Sequence, residues 1–147
     1  MATTTAAQQR EQARVEYDAF LAACPSRQLL DRVSDKWVTL VLSALGTDGT
    51  NAPGERCGGE PRVMRYSELA RQLGGVSQKM LTQTLRSLER DGLVTRTVVA
   101  SVPVTVSYEL TALGLSLHET MRAVKDWAED HMDQVLAERA TYDARVA

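Results

Sequence analysis

The chain has only two cysteines in 147 residues, Cys24 and Cys57, too few for a disulfide framework, and neither belongs to a CxxC pair. Its two histidines, His118 and His131, stand thirteen positions apart on one expected helix, so no metal centre is predicted. No apolar run approaches the roughly 18–20 residues that a membrane helix needs, and no spanning segment is expected. The opening stretch, MATTTAAQQREQ, has neither a basic n-region nor an apolar core. It therefore predicts no secretion signal, and a cytoplasmic location is the default. Cys24 as a nucleophile would lack an identifiable His or acid partner, so neither an enzyme nor a cofactor is predicted.

What is present fits a globular chain, with 44% hydrophobic and 24% charged residues. The length suits one core with room for an extra arm. The expected organisation is a frayed, disordered tail over residues 1–8 and a single domain over 9–147, interrupted by a flexible inserted loop at 46–61. Five glycines and two prolines in GTDGTNAPGERCGGEP deny that loop regular structure. The net charge of −2 conceals an asymmetry. Residues 62–99 carry Arg62, Arg65, Arg71, Lys79, Arg86, Arg90 and Arg96 against Glu68, Glu89 and Asp91. That segment is +4 and the remainder −6, a basic patch on an acidic body.

Periodicity places the elements. A helix is expected from Gln9 to Ala23, with Tyr17, Phe20, Leu21 and Cys24 on one face. Pro25 opens a second helix carrying Leu29, Leu30 and Val33. Ser34-Asp35 caps a third, with Trp37, Leu40, Val41, Ala44 and Leu45 expected inward. Short β character follows at Val63–Tyr66, then a helix capped by Ser67 and a turn at Gly74-Gly75. Ser77 caps the next helix, where Leu81, Leu85 and Leu88 recur at i, i+4 and i+7 beside Thr84. Asp91-Gly92 ends it. Leu93–Ala100 and Val104–Leu110 alternate as a hairpin. After Thr111 a final helix aligns Leu113, Leu117, Met121, Val124, Ala128 and Val135, with Trp127 and Met132 alongside. That stripe exceeds what one small domain covers and is read as a dimerisation surface.

Helix, turn, amphipathic helix and hairpin in this order predict a winged helix-turn-helix: mainly α, with a small β-hairpin wing, dimerising through N- and C-terminal helices. With its leucines inward, the second helix turns Gln78, Lys79, Thr82, Gln83 and Arg86 outward. Gln bonds adenine bidentately, Lys and Arg favour guanine, and Thr bonds polar edges or packs on thymine methyls, which makes these a candidate reading set. Free N–H groups at Ser77 and Gln78 suit a phosphate, and Arg65 is a candidate phosphate contact.

The ordered motifs resemble the HxlR family of regulators. They are Cys24-Pro25, Lys36-Trp37, Arg65-Tyr66-Ser67-Glu68-Leu69, Val76 through Thr82, Leu88 through Val94, Val102-Pro103 and Val106 through Thr111. The resemblance spans roughly Cys24 to Met132. It implies a bacterial homodimer on a partly palindromic double-stranded DNA operator, with recognition helices about 34 Å apart or a multiple of that. It also implies a redox- or electrophile-sensing cysteine at Cys24. A helix N-terminus with Arg27 nearby would stabilise that thiolate, whereas the apolar stripe with Tyr17 and Phe20 would bury and silence it. Both readings stay open.

Two departures from the family pattern stand out. The 46–61 loop is long and brings Cys57, a candidate resolving partner for Cys24, and the wing tip Ser101–Thr105 has no Lys or Arg. Alternatives to an oxidant effector are a small ligand held around Trp37 and Trp127, or a winged-helix protein-interaction module that does not bind DNA.

Overall fold

The computed structural model describes residues 5–17, 24–46 and 60–147. Cys57 and nearly all of the 46–61 loop lie outside them, as do Phe20 and Leu21 of the first expected stripe. The chain divides into two compact units, residues 1–39 and 40–147.

In the first unit, α1 spans Ala6–Tyr17 and α2 spans Pro25–Val33. The start of α1 falls before the expected Gln9 because Thr5 and Gln8 close a capping box. The Thr5 N–H donates to Gln8 Oε1 at 2.8 Å, and the Gln8 N–H donates to Thr5 Oγ1 at 3.3 Å. Pro25 occupies the first turn of α2, and Cys24 is its N-cap and fully buried. Leu29 and Leu30 of α2 are exposed.

Helix α3 spans Lys36–Gly46, and Asp35 Oδ1 accepts from the Trp37 N–H at 2.8 Å. Its inward face matches the expected one at Val41, Ala44 and Leu45 and departs from it at Trp37 and Leu40. Val38, Val41, Leu42, Ala44 and Leu45 are buried, whereas Trp37 is half-buried and Leu40 exposed. In a helix as uniformly apolar as WVTLVLSAL, periodicity leaves the rotational phase undetermined, and packing sets it.

The second unit holds a three-stranded antiparallel sheet in the order β1-β3-β2, formed by Met64–Arg65, Thr105–Leu110 and Val94–Val99 respectively. Met64 pairs with Tyr108 and Arg65 with Ser107; across the hairpin Arg96 faces Tyr108 and Thr97 faces Ser107. Between β1 and β2 come α4 (Tyr66–Leu73) and α5 (Gln78–Arg90). The core gathers Leu69 of α4, Leu81, Leu85 and Leu88 of α5, Met64, Leu93, Val94 and Tyr108.

Helix α5 ends as the Asp91-Gly92 pair suggests. The Leu93 N–H donates to the Leu88 carbonyl at 3.0 Å and the Gly92 N–H to the Glu89 carbonyl at 3.1 Å, a Schellman closure. Gly92 takes φ 74°, which a side chain would strain. The wing rises from this point. Its Val98, Val99, Val102 and Val104 are all exposed, so the tip is apolar as well as uncharged.

Helix α6 runs Ala112–Val146, about 52 Å at 1.5 Å per residue. Thr111 caps it, accepting from the Gly114 N–H at 3.1 Å while donating to the Gly92 carbonyl at 2.6 Å. Gly114 lies so close to the wing root that a Cβ there would sit 2.0 Å from the Leu93 carbonyl oxygen. His118, one turn on, is buried with its ring against Gly46. Burial lowers its pKa below 6.5; Lys125 and Arg122 add to that and Glu119 opposes it. Of the stripe expected on α6, only Met121 is buried; Leu113, Val124 and Trp127 are exposed. No helix among the described residues is long and apolar enough to cross a membrane.

Candidate nucleic-acid interface

The interface is built from the α5 register. Four side chains, Leu81, Thr84, Leu85 and Leu88, are buried, which turns Gln78, Lys79, Gln83 and Arg86 to solvent. Ser77 is the N-cap, its Oγ accepting from the Met80 N–H at 3.1 Å. The N–H groups of Gln78 and Lys79 have no intrahelical acceptor and point along the helix dipole, a suitable place for an anion.

Thr82 is half-buried rather than fully outward. Its hydroxyl lies 3.4 Å from the Tyr66 hydroxyl, which also donates to the Gln78 carbonyl at 3.1 Å. Tyr66, the first residue of α4, thus buttresses the first turn of α5. Periodicity gave no sign of this, because the contact joins residues twelve and sixteen positions apart.

Arg65 is exposed at the β1–α4 junction. It is the N-cap of α4, with its N–H donating to Glu68 Oε2 at 3.1 Å. Ser67, expected to cap this helix, lies inside it, because the chain turns helical directly from strand β1. Arg62 also differs from its expected place in the basic patch. Its Nε donates to the Ala44 carbonyl at 3.1 Å and a terminal nitrogen donates to Gln72 Oε1. This guanidinium closes the C-terminal end of α3, where a cation is favoured.

Among the described residues no three of His, Cys, Asp and Glu gather as a metal site. Trp127 stacks on His131, with ring centroids 4.7 Å apart. Both line a groove of about 720 Å³ along the distal half of α6, with Val135, Glu138 and Tyr142.

The HxlR-like helix-turn-helix family model matches residues 57–136, from the end of the inserted loop through the wing and into α6. The chain belongs to the HxlR family. Its relatives include the uncharacterised HTH-type transcriptional regulator YtfH of Escherichia coli K12. That protein is 40% identical over 124 residues, 84% of this chain and 87% of the relative. Among solved structures, the YtfH regulator from Salmonella typhimurium matches with a TM-score of 0.63 and 41% identity, covering 80% of this chain and 92% of that one. The redox regulator HypR in its oxidised form matches with a TM-score of 0.59 and 32% identity, over 74% and 97% of the two chains. The winged helix-turn-helix lies within the matched residues, and this is a transcriptional-regulator family with DNA as its implied partner.

Proposed function

We propose that the protein is a sequence-specific regulator that binds a partly palindromic operator as a homodimer in the cytoplasm, laying α5 of each protomer in a major groove. The division of α5 carries this reading: its leucine stripe is completely buried while Gln78, Lys79, Gln83 and Arg86 stand in solvent. A helix so divided is fixed from behind and free to meet base edges in front. Gln78, Lys79 and Gln83, on the first two turns, are the base readers. Ser77 and Arg65 hold backbone. Thr82 acts from the flank, tied to Tyr66. The apolar wing tip makes no strong phosphate contact.

The first candidate signal is an oxidant or electrophile, with Cys24 as the sensing thiol and Cys57 as its candidate resolving partner. Similarity to a redox regulator supports this. The full burial of Cys24 supports instead a packing role, since a buried thiol meets an oxidant only after the structure around it opens. A small ligand at the α6 groove is the second candidate signal, supported by the volume and the aromatic lining of that groove.

The test is selection of operator duplexes from a random pool, followed by titration of the winner. Lys79→Ala should weaken operator binding by about 1–3 kcal/mol and relax sequence preference at one position, with the dimer intact. Unchanged affinity and preference would remove Lys79 from the reading face. A wild-type protein that selects no sequence and shows no salt-dependent duplex binding would favour the protein-interaction module.

A further inference from the structure

Directly opposed residues of a sheet share a face, and so do residues two apart on a strand. Met64, Tyr108 and Arg96 form one cross-strand row, and Val94 stands two positions before Arg96. Met64, Tyr108 and Val94 are buried and Arg96 is exposed. Arg96 therefore occupies the inner face of the sheet at the point where the core ends. Helix α5 packs against β2 there, and its Thr82, Arg86 and Glu89, at i, i+4 and i+7, form one stripe on the facing side. Between the two lies a cleft of about 280 Å³ lined by Thr82, Arg86, Glu89, Arg96 and Tyr108.

Two arginines and one glutamate line the cleft. Among the described residues neither Arg86 nor Arg96 is in an ion pair. Glu89 offsets only one of the two positive charges, so the cleft keeps a net positive charge that favours an anion, and the planar fork of arginine matches phosphate oxygens bidentately. Position selects the anion. Arg86 stands about 12 Å up α5 from Gln78, at 1.5 Å per residue. Base reading in this motif falls to the N-terminal residues of the recognition helix. A side chain so far along, angled toward the wing, meets the sugar-phosphate chain bordering the groove.

We propose that Arg86 and Arg96 together clamp one backbone phosphate of the bound duplex, with Glu89 weakening the clamp by its own charge. This rests on the DNA-binding reading above and refines it. Arg86 moves from the base-reading set to backbone holding, and the wing contributes through the root of β2 instead of its apolar tip.

The experiment is a titration of the full chain with a mixed-sequence duplex about three helical turns long, read by fluorescence anisotropy across a salt series. Each backbone phosphate neutralised contributes about 0.9 to the slope of log affinity against log salt. Arg86→Gln/Arg96→Gln should lower that slope by about 0.9 per bound protomer, because both groups hold the same phosphate. A fall of about 1.8 would mean two separate phosphates and overturn the shared clamp. Arg96→Lys, which keeps the charge and loses the fork, should retain the slope with weaker binding. Glu89→Gln should bind more tightly than wild type.

Melting temperatures of the variants should match wild type. A lowered melting temperature with an unchanged salt slope would make Arg96 a structural residue and end the proposal. If wild type binds with a steep salt slope that the double variant leaves unaltered, the clamp fails and the DNA reading stands. If wild type binds no duplex at any salt, both fail.

Discussion

Helices α5 and α6 both carry large apolar side chains, yet these are covered to different degrees. In the thirteen residues of α5, four side chains are buried and the rest of its surface is polar apart from Met80. In the thirty-five residues of α6, burial is confined to Gly114, His118 and Met121, and beyond them Val124, Trp127, Leu136, Tyr142 and Val146 stand exposed. The first helix is satisfied by its own chain, and its free face is chemically suited to a polar partner. The second is fixed at one end and along the rest exposes Val124, Trp127, Leu136, Tyr142 and Val146 among its charged residues, apolar side chains that another protein surface would cover. A second copy of the chain is the partner proposed above.

The contrast breaks most severely at the fixed end of α6. Gly114→Ala sets a methyl 2.0 Å from the Leu93 carbonyl oxygen and 3.2 Å from Leu110 Cδ2. The obstacle is backbone, so α6 must lift from the wing root, and the Thr111 hydrogen bonds to Gly92 and Gly114 weaken with it. The expected loss is about 1–3 kcal/mol in chemical denaturation, with a comparable fall for Gly114→Ser. Stability equal to wild type would show that α6 is not held at Gly114.

The free stretch should behave in the opposite way. Trp127→Glu removes a ring that is 54% exposed and stacks on His131, so the folded chain should largely keep its melting behaviour in the dissociated state. Association should suffer instead: an aromatic anchor near the centre of an interface is worth about 2 kcal/mol or more, a weakening of about 30-fold. Sedimentation over a dilution series reads this directly. An unchanged dimer constant would place the interface elsewhere, and a monomeric wild type would remove the homodimer from the proposal.

The same contrast decides what was legible in the sequence. Helix α5 could be read in full, cap to C-terminal glycine, because Ser77, the leucine spacing and Gly92 are local signals that agree with one another. The strands came within a residue or so, since alternation and turn chemistry bound them closely. The phase of α3 could be read only in part, placing Val41, Ala44 and Leu45 correctly and Trp37 and Leu40 too far inward, because its residues are apolar on nearly every side. Arg62 was legible as a charge but not as a helix-closing one, since its acceptor at Ala44 lies eighteen positions earlier. Arg96 was hidden by its strand: counted among the basic residues, it becomes part of a cleft only once β2 is laid beside α5. Long-range pairings of this kind leave no periodic trace.

The smallest expected effect concerns pH and belongs to the covered end of α6. His118 is buried against Gly46, with its Nδ1 lacking a hydrogen-bond partner among the described residues. Burial first, then the charges of Lys125 and Arg122, hold its pKa below 6.5, with Glu119 pulling the other way. The folded chain therefore binds this proton more weakly than the unfolded one. Stability from the neutral ring is fully present above pH 6.5 and is lost progressively as pH falls through 6.5 toward the lowered folded value. Melting followed from about pH 7.5 to 5.5 should show a steeper decline for wild type than for His118→Gln, which cannot titrate in that range. Because Trp127 lies outside the covered region, Trp127→Glu should keep the wild-type pH profile. Parallel profiles for wild type and His118→Gln would show that the ring is solvated, and that the covered end of α6 stops short of it.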